Sequence, residues 1–467
     1  MNISNLIYNQ NNININNMVC LSEIYTKEDL ENKIPNYSSK SFRDTDGNQQ
    51  NMFCTYSEFK ETYGDDIDLN NVYYNYDSDY DLLTKFLFYI DLDNYIMLNI
   101  SNVILFNMPL QDLKKTIDNL INYKEQGKYN QILLYTFEGY KIQMLQHIVN
   151  TCEYSDSNLY ELFMDYYTYT DFGFNSLTDG TIDKIINSKS EKRKKKTMEL
   201  LKDFSDEIII YRGEADKSTP YQQAYSWSIS PSIASFFSLR YIEENGRIII
   251  GKVNKKDVIE YFDSSEKEIF VKSDNVEVLN VYDFYTMEEI KNSIDNVLDD
   301  FSFFKSILAN TEFPYDSKEH GRTHCLRVLL YSLILMDLLE IDNNSAYLMG
   351  FASIFHDYGR KNDEIDEKHG ENSVKFIKNN YINDEIVNFL VKYHCIDEKI
   401  ALNELKNNKN IGEINKNRIK QLYFVLKDSD TLDRVRFGLN VDISYLHYEQ
   451  SIKMLLFANI ANKYITL

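Results

Sequence analysis

The feature that most constrains this chain is a change of hydrophobic rhythm near residue 285. Between residues 207 and 283, short apolar runs (EIIIYRG, YSWSIS, RIIIGKV, EIFVK and VEVLNVYDF) alternate with turn-rich segments, which predicts a set of short strands. From about residue 286 to the C-terminus the spacing is helical and prolines are few. Long stretches such as HCLRVLLYSLILMDLL predict an all-helical region. Residues 130–204 also read as helices, whereas LLTKFLFYIDLDNYIMLNISNVILF fits strands or a helix–strand mixture. The first 20 residues are rich in Asn and are expected to be disordered. Three regions follow: 1–125, an α/β module of unknown role; 126–287, a strand-rich α+β domain; and 288–467, an all-α domain.

A chain of 467 residues suits two or three domains. Its net charge of −22 argues against a non-specific nucleic-acid binder, which needs a basic face. The five cysteines are widely spaced and lack a CxxC, as expected in a reducing compartment. No charged segment followed by an apolar core marks a secretory signal. The longest apolar run, Leu329 to Leu339, is too short to span a membrane. The expectation is a soluble protein acting in a cytoplasm, its own or that of a target cell. The basic run Lys192–Lys196 is read as a solvated helix face rather than a patch for an anionic partner.

Within the strand-rich region, Arg212 ends an apolar strand, and its planar guanidinium suits bidentate contact with phosphate oxygens. Gly213 beside it would let a ligand approach the backbone. Ser226 and Ser228 alternate on one face of the next strand. Phe236, in the short helix after Pro231, offers a ring for stacking or for the core. Glu266 and Glu268, read as strand residues i and i+2, would point into one cleft. One carboxylate could stabilise an oxocarbenium-like state while the other acts as base. Taken singly, each is an ordinary strand-end or surface residue.

Together and in this order, these elements resemble the R-S-E class of mono-ADP-ribosyltransferases, over roughly residues 130–285 and including Ala234-x-Phe236. The resemblance implies an α+β fold with mixed β-sheets and NAD as cofactor. Arg212, Gly213, Ser228 and Phe236 would contact NAD, and Ser226 would support a catalytic Glu268. Glu266 would activate the acceptor, and Tyr261 or Phe262 would meet the target. Trp227 departs from the small hydroxyl residue common at that position.

Six of the seven histidines fall in the helical region. His320 and His324 lie one helical turn apart. His356-Asp357 follow an apolar helix, and His369, His394, Asp428 and Asp430 come later. Imidazole with carboxylate suits Fe, Mn, Zn, Co or Ni better than Mg. Such ions activate water and clamp phosphoryl oxygens. The order His324, His356-Asp357, Asp430 resembles the HD-domain phosphohydrolases over about residues 300–440. With His369 and His394 it is similar to members that hold two ions. The resemblance implies an all-α HD domain, with Asp430 rather than Asp428 as the last ligand. It also makes His320, Arg322, Arg360 and Lys361 candidates for proton transfer or phosphate contact.

The combined expectation is an ADP-ribosyltransferase fused to a metal-dependent phosphodiesterase or phosphohydrolase, acting as a toxin or effector. A protein is the expected acceptor and a nucleic acid the alternative; oligomeric state is open. Three rival arrangements stand beside it. One resembles SidE-type effectors, which transfer phosphoribose by ADP-ribosylation and then phosphodiester cleavage. In the second, the two domains share no substrate and the helical domain hydrolyses a nucleotide signal. In the third, the helical domain only binds a nucleotide or metal and regulates the transferase.

Overall fold

The computed structural model describes residues 17–37, 40–43, 47–76, 85–152, 156–170, 174–242, 244–364, 366–409 and 411–467. Most of the Asn-rich N-terminal stretch lies outside the described residues. The chain divides into two compact units, residues 1–195 and 196–467. The sequence-based boundaries after residues 125 and 287 do not coincide with this division.

The first unit carries a short hairpin, β2 (Ser41–Arg43) with β3 (Gln49–Asn51). It also carries a four-stranded antiparallel sheet in the order β1 (Met18–Cys20), β4 (Val72–Asn75), β5 (Leu87–Asp91), β6 (Ile96–Asn99). The ambiguous stretch around residue 90 is therefore a hairpin. Asp91 accepts the Asn94 amide at 3.1 Å, and Tyr95 takes a positive φ of 59°, which closes the turn. Helices occupy most of the rest of this unit. Lys192, Lys194, Lys195 and Lys196 are exposed on the helix Glu191–Leu200, in agreement with a solvated face.

The second unit begins with a six-stranded sheet in the order β10-β11-β8-β7-β9-β12: Glu260–Phe262, Glu268–Phe270, Ser226–Ser228, Glu207–Ala215, Gly246–Asn254 and Val276–Asp283. Among the described residues every pairing is antiparallel, so the expected mixed sheets are corrected. Of the connections between successive strands only the one from β8 to β9 holds an α-helix, Pro231–Leu239, and β9 still runs antiparallel to its neighbours. That helix packs on β7, and Gly213 is the reason it can. A Cβ there would sit 1.8 Å from the Ala234 carbonyl oxygen and 2.6 Å from the Ser238 nitrogen. The absent side chain at 213 thus admits a helix backbone.

Strand alternation splits the sheet into two faces. Ile208 and Ile210 join Trp227, Ile249 and Ile269 in one core. Tyr211 and Ile250 pack instead against a larger core that the helices build. At its centre lies the helix Arg322–Leu338, buried continuously from His324 to Met336. Ala234, Leu239, Ile248 and Phe284 from the strand-rich part belong to the same core as Cys325, Leu329, Phe355 and Leu426. Strand and helix regions on either side of residue 287 therefore share one core. No described helix is long and apolar enough to cross a membrane.

Candidate metal centre

Helix ends bring the candidate ligands together. His324 lies in the first turn of Arg322–Leu338, and His356-Asp357 directly follow Asn343–Phe355. His369 opens the helix His369–Asn380, His394 directly follows Glu385–Tyr393, and Asp430 lies in the last turn of Glu413–Leu432. Gly359 sets the approach of His369, since a Cβ there would lie 2.2 Å from the His369 carbonyl oxygen. Its amide also donates to Ser373 Oγ at 2.8 Å.

Asp357 is the hub. Its Oδ2 lies 3.1 Å from His320 Nδ1 and 3.6 Å from Nε2 of both His324 and His356. Its Oδ1 lies 3.0 Å from His369 Nε2 and 3.3 Å from His394 Nε2. Asp430 Oδ1 reaches His324 Nε2 at 3.3 Å. His324, His356 and Asp430 form one group of converging donors, and His356, Asp357 and His394 another.

The imidazole orientations are diagnostic. Nδ1 of His356 faces the Ser353 carbonyl at 2.8 Å, and Nδ1 of His394 faces the Val391 carbonyl at 2.7 Å. His369 Nδ1 faces the Asp366 carbonyl, and His324 Nδ1 faces the Asp433 carboxylate at 2.7 Å. A carbonyl or carboxylate only accepts, so each Nδ1 carries a proton and each ring, when neutral, turns a lone pair outward from Nε2. Those nitrogens meet in two places: Nε2 of His324 and His356 are 3.1 Å apart, and Nε2 of His369 and His394 are 2.9 Å apart. At that distance the two nitrogens of a pair share either a proton or a metal ion. Nitrogens bound about 2.1 Å from a six-coordinate ion sit roughly 3.0 Å apart, which matches both pairs. The donor set fits divalent metal.

Within each pair the two rings differ. Burial pushes the His356 pKa down to about 3 and also lowers that of His394, so both are kept neutral. Burial works against the Asp357 carboxylate, yet His356, His320, His369 and His394 outweigh it and hold the pKa well below the ordinary range. For His369, burial opposes the charged form, and the Asp357 hydrogen bond prevails, lifting the pKa to about 9, so an ion bound at Nε2 would take the place of a proton.

A second layer escaped sequence reasoning. Asp433, fully buried, accepts from His324 and takes two bonds from Arg327, Nε at 2.5 Å and a terminal nitrogen at 2.9 Å; Arg436 adds one at 3.2 Å. A carboxylate behind a ligand histidine fixes its tautomer and raises its basicity. The signal available was the one-turn spacing of Asp430 and Asp433. Asp428, the residue set aside in favour of Asp430, serves elsewhere. It accepts the His447 and Tyr448 amides, Ser451 Oγ at 2.6 Å and His447 Nδ1 at 2.6 Å.

The strand-side candidates are arranged differently from expectation. Ser228, Tyr211 and Glu268 are direct cross-strand partners and so share a face. Ser226 stands opposite Phe270 rather than Glu268. Arg212, next to Tyr211, turns to the other face. There it donates to Glu214 at 3.1 Å, the Ser226 carbonyl at 2.8 Å and the Thr219 carbonyl at 2.6 Å. Glu266 lies in an exposed turn before the strand, and Lys267 has a φ of 50°. Extended alternation therefore does not relate Glu266 to Glu268. Ser228 Oγ donates to the Glu266 carbonyl at 2.6 Å and so anchors that turn. Phe236 is half-buried, 5.4 Å from Phe237.

In comparisons with protein-family models, curated proteins and solved structures, nothing matches this chain.

Proposed function

We propose that this chain is a metal-dependent phosphoester hydrolase, working at a pair of divalent ions that share Asp357. The observation that carries the reading is the two pairs of facing Nε2 atoms, one pair on each side of a single buried carboxylate. His324, His356, Asp357 and Asp430 would hold one ion; Asp357, His369 and His394 would hold the other. Bound there, such ions supply Lewis acidity and lower the pKa of coordinated water, as phosphoester cleavage requires.

The protein's own groups supply the rest. His320 is partly exposed and bonded through Nδ1 to Asp357, which leaves Nε2 for proton transfer at a substrate oxygen. Arg360 is fixed by Asp357 at 2.9 Å and Arg322 by Asp316 at 2.7 Å. Both guanidiniums are thus pre-positioned for phosphate oxygens. The test is Asp357→Asn beside wild type, read by bound metal and by hydrolysis of bis-p-nitrophenyl phosphate with Mn or Zn. Loss of both ions and of turnover is expected. A wild type that retains no divalent ion would sink the reading.

A second reading, NAD-dependent ADP-ribosyl transfer, draws on one observation. The strands bearing Arg212, Ser226–Ser228 and Glu268 are neighbours in the sheet, with Ser228 directly across from Glu268. In that reading the metal centre would cleave the phosphoester of the adduct made at the strands.

A further inference from the structure

We infer that Cys395 is a thiolate ligand of the second ion, which makes the two halves of the centre chemically unlike; this rests on the two-ion reading above. The helix Asn343–Phe355 ends at His356 and the helix Glu385–Tyr393 ends at His394, with nearly the same backbone angles: φ −55°, ψ −39° and φ −60°, ψ −34°. Each histidine directs Nδ1 to the carbonyl three residues back in its own helix, at 2.8 Å and 2.7 Å. Each therefore aims Nε2 inward by the same device. At the first end the next residue, Asp357, delivers an anionic donor. At the second end the next residue is Cys395.

Charge points the same way. The first ion would have two imidazoles and two carboxylates, Asp357 and Asp430. The second would have two imidazoles and only the shared Asp357, whose Oδ1 also accepts from Arg360 at 2.9 Å. Lys427 adds another cation nearby, bonded to the His394 carbonyl at 2.9 Å. A thiolate restores the missing negative charge. Cys395 also lies within reach: its sulfur and one ring nitrogen each of His369 and His394 all fall within 4.8 Å of one another. Its remaining contacts are long, 3.7 Å to the Glu367 carbonyl and 4.0 Å to that of Lys392. A His₂-carboxylate-thiolate set favours Zn, Co or Fe over Mn and Mg at that position.

The experiment is cobalt(II) loading of the metal-free full chain, wild type and Cys395→Ser, with metal analysis and absorption spectra. Alkylation of each cysteine peptide by iodoacetamide is followed before and after loading. Wild type is expected to bind two cobalt ions, to show a thiolate-to-cobalt charge-transfer band in the near ultraviolet, and to protect Cys395 from alkylation. Cys395→Ser should lose the band and bind the second ion at least about tenfold more weakly. Two ions in wild type with no such band and no protection of Cys395 would overturn the thiolate while leaving the two-ion reading intact. Fewer than two ions in wild type would overturn both. The wild-type spectrum and alkylation decide the matter even if the serine variant fails to fold.

Discussion

Replacing Asp433 with asparagine keeps the side chain's shape and removes its charge, so it separates what the residue does for folding from what it does for metal. Asp433 accepts four charge-assisted bonds, from His324, twice from Arg327 and from Arg436. Asparagine offers one oxygen, and its amide nitrogen must face a guanidinium or an imidazole N–H. Arg327, only 6% exposed, then loses part of its counter-charge. Breaking one side of a buried ion pair costs about 3–5 kcal/mol. Weakening the acceptor behind His324 should also cost roughly 10–100-fold in metal affinity, or about 1.4–2.7 kcal/mol. The assay is thermal unfolding of both proteins in chelator and in saturating zinc, with affinity measured against a chromophoric competitor. The first loss should persist in chelator and the second should appear only with zinc. An unchanged melting temperature in chelator would refute the argument that the Arg327–Asp433 pair holds this core together.

Three further outcomes are expected. Gly213→Ala should destabilise the second unit by about 3 kcal/mol or more, because its Cβ would strike helix backbone at 1.8 Å; denaturant unfolding reads this, and a neutral result would mean that the helix Pro231–Leu239 is free to shift. His447 stacks on Phe424 and bonds Asp428 and Glu398, at 2.6 Å and 2.8 Å. Burial opposes its charged form, but the two carboxylates prevail and raise its pKa. That stabilisation is complete below about pH 6.5, the unfolded value, and is lost as pH rises through the folded value. His447→Phe should therefore cost about 1.5–3 kcal/mol at pH 6 and less at pH 9, so a pH-independent difference would count against it. Under the transferase reading, Glu268→Gln abolishes NAD cleavage with metal content unchanged. NAD turnover that survives this change would remove Glu268 from the chemistry.

The metal-side residues were legible because histidine is scarce here, with seven in the chain, and a scarce residue gathered in one region stands out against composition. Asp433 and Arg327 were not. Arg327 sits inside an apolar helical run and Asp433 beside Arg434, where charge reads as solvated surface, and only tertiary packing brings the two together. The strand positions were legible from short apolar runs, but their facing was not. A single residue at positive φ, Lys267, disconnects Glu266 from the strand, and no periodicity argument detects it. At Gly213 the close approach seen is that of a helix backbone; a sequence shows that backbone is approached closely, not what approaches it. The boundary drawn at 287 followed a change of secondary structure, which need not be a break in the core.

That continuous core has a consequence for how this protein responds to its surroundings. Ala234, Leu239, Ile248 and Phe284 are buried with the helices that present the metal ligands, and the Tyr285 amide donates to the Lys453 carbonyl at 2.9 Å. Anything that binds only the folded centre adds RT ln(1 + [L]/Kd) to the stability of the whole body. An ion held by Asp357 would therefore slow amide exchange in β7 and β9, and metal supply would then set how long the strand side stays folded.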